Sequence, residues 1–354
     1  MTKNSAKIRT FRLQTVSHLA YCILTLAHLI LTDLPRAKRL QGFAFFCIYF
    51  VLLCARWDYG KDVAVAQIIN SCMDFEKKLV AGKRSLNENL ESKLMKLFLQ
   101  VTFFSVIATA FAIIGLILLD PCLPPFLLSV RDDCGSITWT SALGAQHLTF
   151  LLDTWMAFHV LPGGTLEIIY ILFVGIVSML NYFAVIRGDI QEAQGSAEFE
   201  TCTKVYRNIQ ILEKMFNGFL MVYLIPVYML LLPTLQILTQ YVSLMMHDEI
   251  PMPSFLIFPL VWLNVFVNNI FVITLASWVN NVSTMTFKEQ VRAIVHSGVG
   301  TRRSALRKGA TACAVLKIKF GSNFIDSATP LVIQNFCLAQ TVTLILIGGS
   351  KKGR

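Results

Sequence analysis

Thr329-Pro330-Leu331-Val332-Ile333-Gln334-Asn335-Phe336-Cys337-Leu338-Ala339-Gln340-Thr341-Val342-Thr343-Leu344-Ile345-Leu346-Ile347 is long and apolar enough for one helical crossing of a bilayer. It nevertheless carries amides at 334, 335 and 340, where a span surrounded by lipid carries hydrocarbon. A polar group at membrane depth needs protein or water beside it, so one face of this helix is expected to line an aqueous path. Pro330 falls in the first turn, where its missing N–H costs least, and reads as a helix start. Just upstream, Gly321 and Asn323 suggest a turn that feeds the helix from a preceding segment, an ordinary loop being the equal alternative.

The rest of the chain agrees with a bilayer setting. Hydrophobic residues make up 55% of 354 and charged residues 15%, with a mean hydropathy of +0.61. A soluble domain carries about 25% charged residues. No ten-residue alternation suggests a barrel, so the expected fold class is an all-α membrane protein. Seven spans are expected, at about 13–31, 42–56, 97–119, 163–186, 217–241, 254–279 and 329–347, in one domain covering 1–354. The second has a short apolar core, which leaves counts of six or eight as alternatives, and its helix can extend amphipathically through Arg56 to Leu79. Leu13–Leu31 is long for a signal-peptide core and is followed by Leu34-Pro35-Arg36-Ala37-Lys38-Arg39, so no cleaved leader is expected.

The formal charge of +10 is explained by topology before nucleic acid is invoked. With the N-terminus inside, 24 of the 31 Lys and Arg fall on the cytoplasmic side, while the loop after span three is acidic at Asp120, Asp132, Asp133 and Asp153. The expected orientation is therefore a cytoplasmic N-terminus and an extracellular C-terminus, the reverse of a G-protein-coupled receptor. The Asn281-Val282-Ser283 sequon would then lie inside and unused.

No phosphate loop, metal-binding His pair or nucleophile elbow occurs, and an enzyme, a cofactor and a metal site are not expected. His18 and His28 are expected to bond neighbouring helices. The nine cysteines form no metal pattern; Cys122 and Cys134 share the oxidising outer loop and are the disulfide candidates, although spacing alone does not supply the geometry of such a bond.

Two stretches carry a family resemblance: Val205-Tyr206-Arg207-Asn208-Ile209-Gln210-Ile211-Leu212-Glu213-Lys214-Met215-Phe216-Asn217, and Lys317-Ile318-Lys319-Phe320-Gly321-Ser322-Asn323-Phe324-Ile325-Asp326 running on to Phe336. With the seven-span order they resemble the insect-type gustatory and odorant receptors, in particular divergent members from springtails. The gustatory pattern of Thr-Tyr, five apolar residues and Gln-Phe is not kept, because Thr329 is followed by Pro330 and Gln340 by Thr341, which leaves both branches open. The resemblance implies a chemosensory, ligand-gated, non-selective cation channel in the plasma membrane. It also implies four subunits, identical or including a co-receptor, around the seventh helix, with cytoplasmic anchor segments at 187–216 and 280–328. A small chemical ligand would bind inside each subunit. A G-protein-coupled metabotropic receptor and a secondary transporter are the rival readings, and no internal repeat supports the transporter.

Residue expectations follow. Gln340 and Leu344 share a face with Ile333, Phe336 and Cys337, giving a polar ring beneath a hydrophobic constriction; Gln334 and Thr341 form a second polar stripe. Which stripe faces the pore stays open, and each amide could instead bond a neighbouring helix. Glu167 and Tyr170 in span four, Gln236 in span five, and Trp262 and Asn264 in span six are the ligand-binding candidates, with headgroup contact or packing as the plainer role. The basic segment Lys288–Lys319 is expected to serve cytoplasmic topology and contact with anionic membrane lipid, alongside any role in subunit anchoring.

Overall fold

The computed structural model describes residues 5–56, 63–80, 90–137, 139, 144–297 and 300–350. The helices are α1 (Ser5–Leu31), α2 (Arg36–Arg56), α3 (Val63–Val80), α4 (Leu90–Leu119), α5 (Ala145–Glu192), α6 (Ser196–Phe219), α7 (Ile225–Met245), α8 (Ile257–His296), α9 (Arg303–Thr311) and α10 (Thr329–Ser350). Among the described residues, α1, α2, α4, α7, α8 and α10 are long and apolar enough to cross a membrane. With the 48-residue α5 they complete an all-α bundle of seven long helices.

Helix length exceeds membrane thickness in two places. At 1.5 Å per residue, a helix needs only about 20 residues to span the hydrocarbon. The 40 residues of α8 and the 48 of α5 therefore project well beyond it. A π-helical turn at Leu220–Leu224 joins α6 to α7 in one rod. Gly175 makes this packing close: a Cβ there would run into the Phe216 ring, so glycine lets α6 lie flush on α5. At the far end of α5 and α8, Arg187 donates both Nε and Nη2 to the Glu289 carboxylate at 2.8 and 2.7 Å.

The apolar interior divides into two stacked halves. One gathers Tyr21, Phe45, Ile113, Phe126, Met156 and Val242; the other gathers Phe183, Tyr206, Phe216, Tyr228, Val279 and Ile318. The first holds the acidic loop, the second the basic segments, so they are called here the outer and inner cores.

Asp153 was expected in the outer loop and instead lies in α5, fully buried. It accepts the Tyr21 hydroxyl at 2.8 Å and the N–H groups of Leu127 and Leu128 at 3.2 and 3.1 Å. The physical reason is that α5 begins 18 residues before the apolar run 163–186 does, through a stretch in which Gln146, His147, Asp153 and His159 interrupt the apolar residues and break the hydropathy signal. The loop it holds tucks Leu123, Phe126 and Leu128 into the mouth of the outer core. A disulfide joins Cys122 to Cys134 across this loop, with Cα atoms 5.2 Å apart. His28 meets Thr32 and Ser129 through its two ring nitrogens, linking α1 to the same loop.

Candidate pore helix and the strap that enters it

The final helix is reached through an extended strap that α6 grips with four side chains. Tyr206, Gln210, Glu213 and Asn217 recur at intervals of four, three and four, and so share one face. Tyr206 Oη and Gln210 Nε2 donate to the Ala314 carbonyl at 3.1 and 2.7 Å. Asn217 donates to the Lys317 carbonyl at 2.8 Å and accepts the Lys319 N–H at 3.0 Å. Ser283 of α8 accepts the Leu316 N–H at 2.9 Å and shares a hydrogen bond with Tyr206. An extended backbone must satisfy its polar groups somewhere, and here side chains take those of Ala314, Leu316, Lys317 and Lys319, while the Ile318 carbonyl accepts the Ile325 N–H. Leu316 and Ile318 anchor the strap in the inner core. Burial pushes the Glu213 carboxyl above its ordinary range, against the Lys317 N–H and the nearby Lys319 and Lys214 ammonium groups, which act the other way.

Past the strap, strands β1 (Lys319–Phe320) and β2 (Asn323–Phe324) form a minimal hairpin, with Gly321 at φ +54° in its turn. Asp326 then caps α10, accepting the N–H of Ala328 and Thr329 and the Thr329 hydroxyl at 3.2, 2.9 and 2.6 Å. The Thr329 hydroxyl bond holds the Asp326 carboxyl below its usual value, an arrangement that also suits the positive end of the helix dipole.

Along α10 the two sequence stripes separate. Gln334, Cys337 and Thr341, read as pore candidates, face α7. Gln334 bonds Gln236, Cys337 is fully buried against the Pro233 carbonyl, and Thr341 donates to Gln240 at 3.2 Å. Cys337 thus leaves the stripe shared by Gln340 and Leu344, because a helix packed on one neighbour buries a face centred between 334 and 341. Gln340, Leu344 and Phe336 lie uncovered, as do Asn335 and Thr343. Only 17% of the α10 span is buried within the chain.

Of the ligand candidates, Gln236 is buried and committed to other amides, donating to Gln334 at 2.7 Å and accepting from Asn269 at 2.9 Å. Asn264 donates to Ser105 of α4 at 2.7 Å and accepts from Asn268. Trp262 lies beside Phe266, and its buried indole N–H has no acceptor among the described residues. The side chains of Glu167 and Tyr170 lie outside the described residues. Sequence reading missed Asn269 and the grip of Tyr206 and Gln210; the spacing along α6 was the available signal for the latter.

No family model and no curated protein matches the sequence. The architecture is that of a multi-pass α-helical membrane protein. More particularly, the chain has the fold of the insect olfactory receptor OR5 from Machilis hrabei, whose structure was solved in complex with eugenol. The two agree with a TM-score of 0.60 over 98% of this chain and 92% of that one, at 12% sequence identity.

Proposed function

We propose that this chain is a chemosensory receptor that works as a ligand-gated, non-selective cation channel in the plasma membrane, with four subunits surrounding a pore lined by α10. The observation that carries the reading is the uncovered face of α10, which presents Asn335, Gln340 and Thr343 among apolar residues at membrane depth. Uncovered amides in hydrocarbon are costly, and both neighbouring subunits and pore water would satisfy them. Gln340 and Leu344 are assigned to the pore, and Gln334, Cys337 and Thr341 to its support. The unpartnered indole N–H of Trp262 is the ligand contact best suited to an acceptor such as a phenol or ether oxygen. The receptor of like fold was solved with eugenol, so that compound is the first probe.

The test is whole-cell recording in heterologous cells under a volatile and tastant panel starting with eugenol, with G-protein signalling blocked. Fast evoked current that survives the block supports the channel; evoked signals that vanish with the block would establish the metabotropic alternative. Gln340→Leu is expected to change unitary conductance or permeability ratios. The same substitution affecting surface expression alone would move the pore face elsewhere. Blue native electrophoresis with and without a co-expressed receptor distinguishes a homotetramer from an assembly that needs a co-receptor.

A further inference from the structure

Three amides from three different helices, two of them buried and Gln334 half-buried, meet at the seam between the two cores. Gln236 of α7 and Asn269 of α8 are 2% and 0% exposed. Gln236 donates to Gln334 Oε1 at 2.7 Å, and its own Oε1 receives Asn269 Nδ2 at 2.9 Å and Gln334 Nε2 at 3.4 Å. On α7, Leu235 and Leu238 belong to the outer core and Tyr228 to the inner; on α8, Val265 belongs to the outer and Val272 to the inner. The cluster is therefore a polar contact, beside that of Thr341 with Gln240, that ties the final helix to the seam.

Two further features give it a second arrangement. Asn269 Oδ1 is buried and receives no hydrogen bond among the described residues, leaving an acceptor beside Gln236. Gln334 also borders a cleft of about 220 Å³ between α8 and α10, lined by Thr274, Ser277 and Asn281 among others. A modest turn of α10 would carry Gln334 toward those polar groups and release the Gln236 amide to Asn269 Oδ1. With no bulk water at this depth, Gln334 leaves Gln236 only where the cleft groups take over its bonds and Asn269 Oδ1 takes the Gln236 amide, so the exchange has two states and few intermediates.

We propose that Gln236, Asn269 and Gln334 form a latch that holds α10 in the non-conducting position and opens by this amide exchange. The latch rests on the channel reading above. Its test is a double-mutant cycle of Gln236→Leu, Gln334→Leu and the double variant, with Gln236→Met and Gln334→Met as versions that keep side-chain length should leucine block surface expression. Basal current and the half-maximal eugenol concentration are recorded, together with unitary conductance. Each single variant is expected to raise basal current at least threefold at unchanged conductance, and the double variant to match either single one. Effects that multiply in the double variant, or a changed conductance at unchanged basal current, would overturn the latch, the second by placing Gln334 in the pore itself. The same variants are melted in lipid nanodiscs, which needs no current. Non-additive melting shifts together with a wild-type protein that never conducts would keep the bond and overturn the channel reading; additive shifts would overturn the latch on their own.

Discussion

Asp153 shows what one residue can decide and why sequence alone misplaced it. Its carboxylate holds a hydroxyl from α1 and two N–H groups of the outer loop, and no solvent reaches it. Asp153→Ala would leave those three donors unsatisfied, at about 1–3 kcal/mol for each buried group. A melting temperature lowered well beyond that of a surface control substitution is the expected outcome, with the loop becoming sensitive to proteolysis. Trp262 calls for the opposite readout. Trp262→Phe keeps an aromatic ring beside Phe266 but removes the unpartnered N–H, so stability should hold while the half-maximal concentration for an acceptor-bearing ligand rises about two- to tenfold, the value of one neutral hydrogen bond of about 0.5–1.5 kcal/mol. An unchanged concentration-response curve would remove Trp262 from the ligand contacts. At this scale the sequence showed which residue types were out of place in a span, such as Gln236 and Gln334, but it could not show that they bond each other. Pairing across 98 positions depends on which helices are neighbours, and periodicity within one helix does not contain that.

At the scale of elements, the two stretches that look most distinctive in the sequence are pressed together. The α6 face from Tyr206 to Asn217 grips the strap from Ala314 to Lys319, and the strap leads through the hairpin to the cap of α10. The long helices were legible because apolar runs define them, whereas the start of α5 was not, since Gln146, His147, Asp153 and His159 break the apolar run over residues 145–162. The grip has a pH dependence with a definite sign. Burial raises the Glu213 pKa in the folded protein, so the folded state binds more protons than the unfolded one. Its contribution to stability is fully present below the ordinary carboxylate pKa and is lost as pH rises through the raised folded value. Thermal melts across that window should show stability falling with pH in the wild type, and a flatter profile for Glu213→Gln, which keeps an acceptor for the strap without a titrating group. An identical slope in the variant would assign the dependence to another group.

For the whole molecule, the distribution of charge and cysteine makes orientation a measurable property. The end bearing the Cys122–Cys134 loop also holds Asp120, Asp132 and Asp133, while α6, α9 and the far part of α8 carry Arg207, Arg292, Arg303, Arg307 and Lys308. The rule that basic residues stay in the cytoplasm places the disulfide outside. The remaining cysteines are poor targets for labelling: Cys22, Cys47, Cys72, Cys202, Cys313 and Cys337 are buried, and Cys54 is partly so. In intact cells, an impermeant maleimide should therefore leave the protein unlabelled until an impermeant reductant opens the bond, after which two labels should appear at Cys122 and Cys134. Cys122 and Cys134 are 12 positions apart, and closing a loop of that order is worth roughly 3 kcal/mol in the chain-entropy description, so reduction and labelling are best done cold. The Asp153 contacts involve neither sulfur, which separates exposure of the two thiols from unfolding of the bundle. Labels that appear only in permeabilised cells would invert the bundle, set its basic anchor outside, and remove the topological ground on which a channel is preferred to a metabotropic receptor.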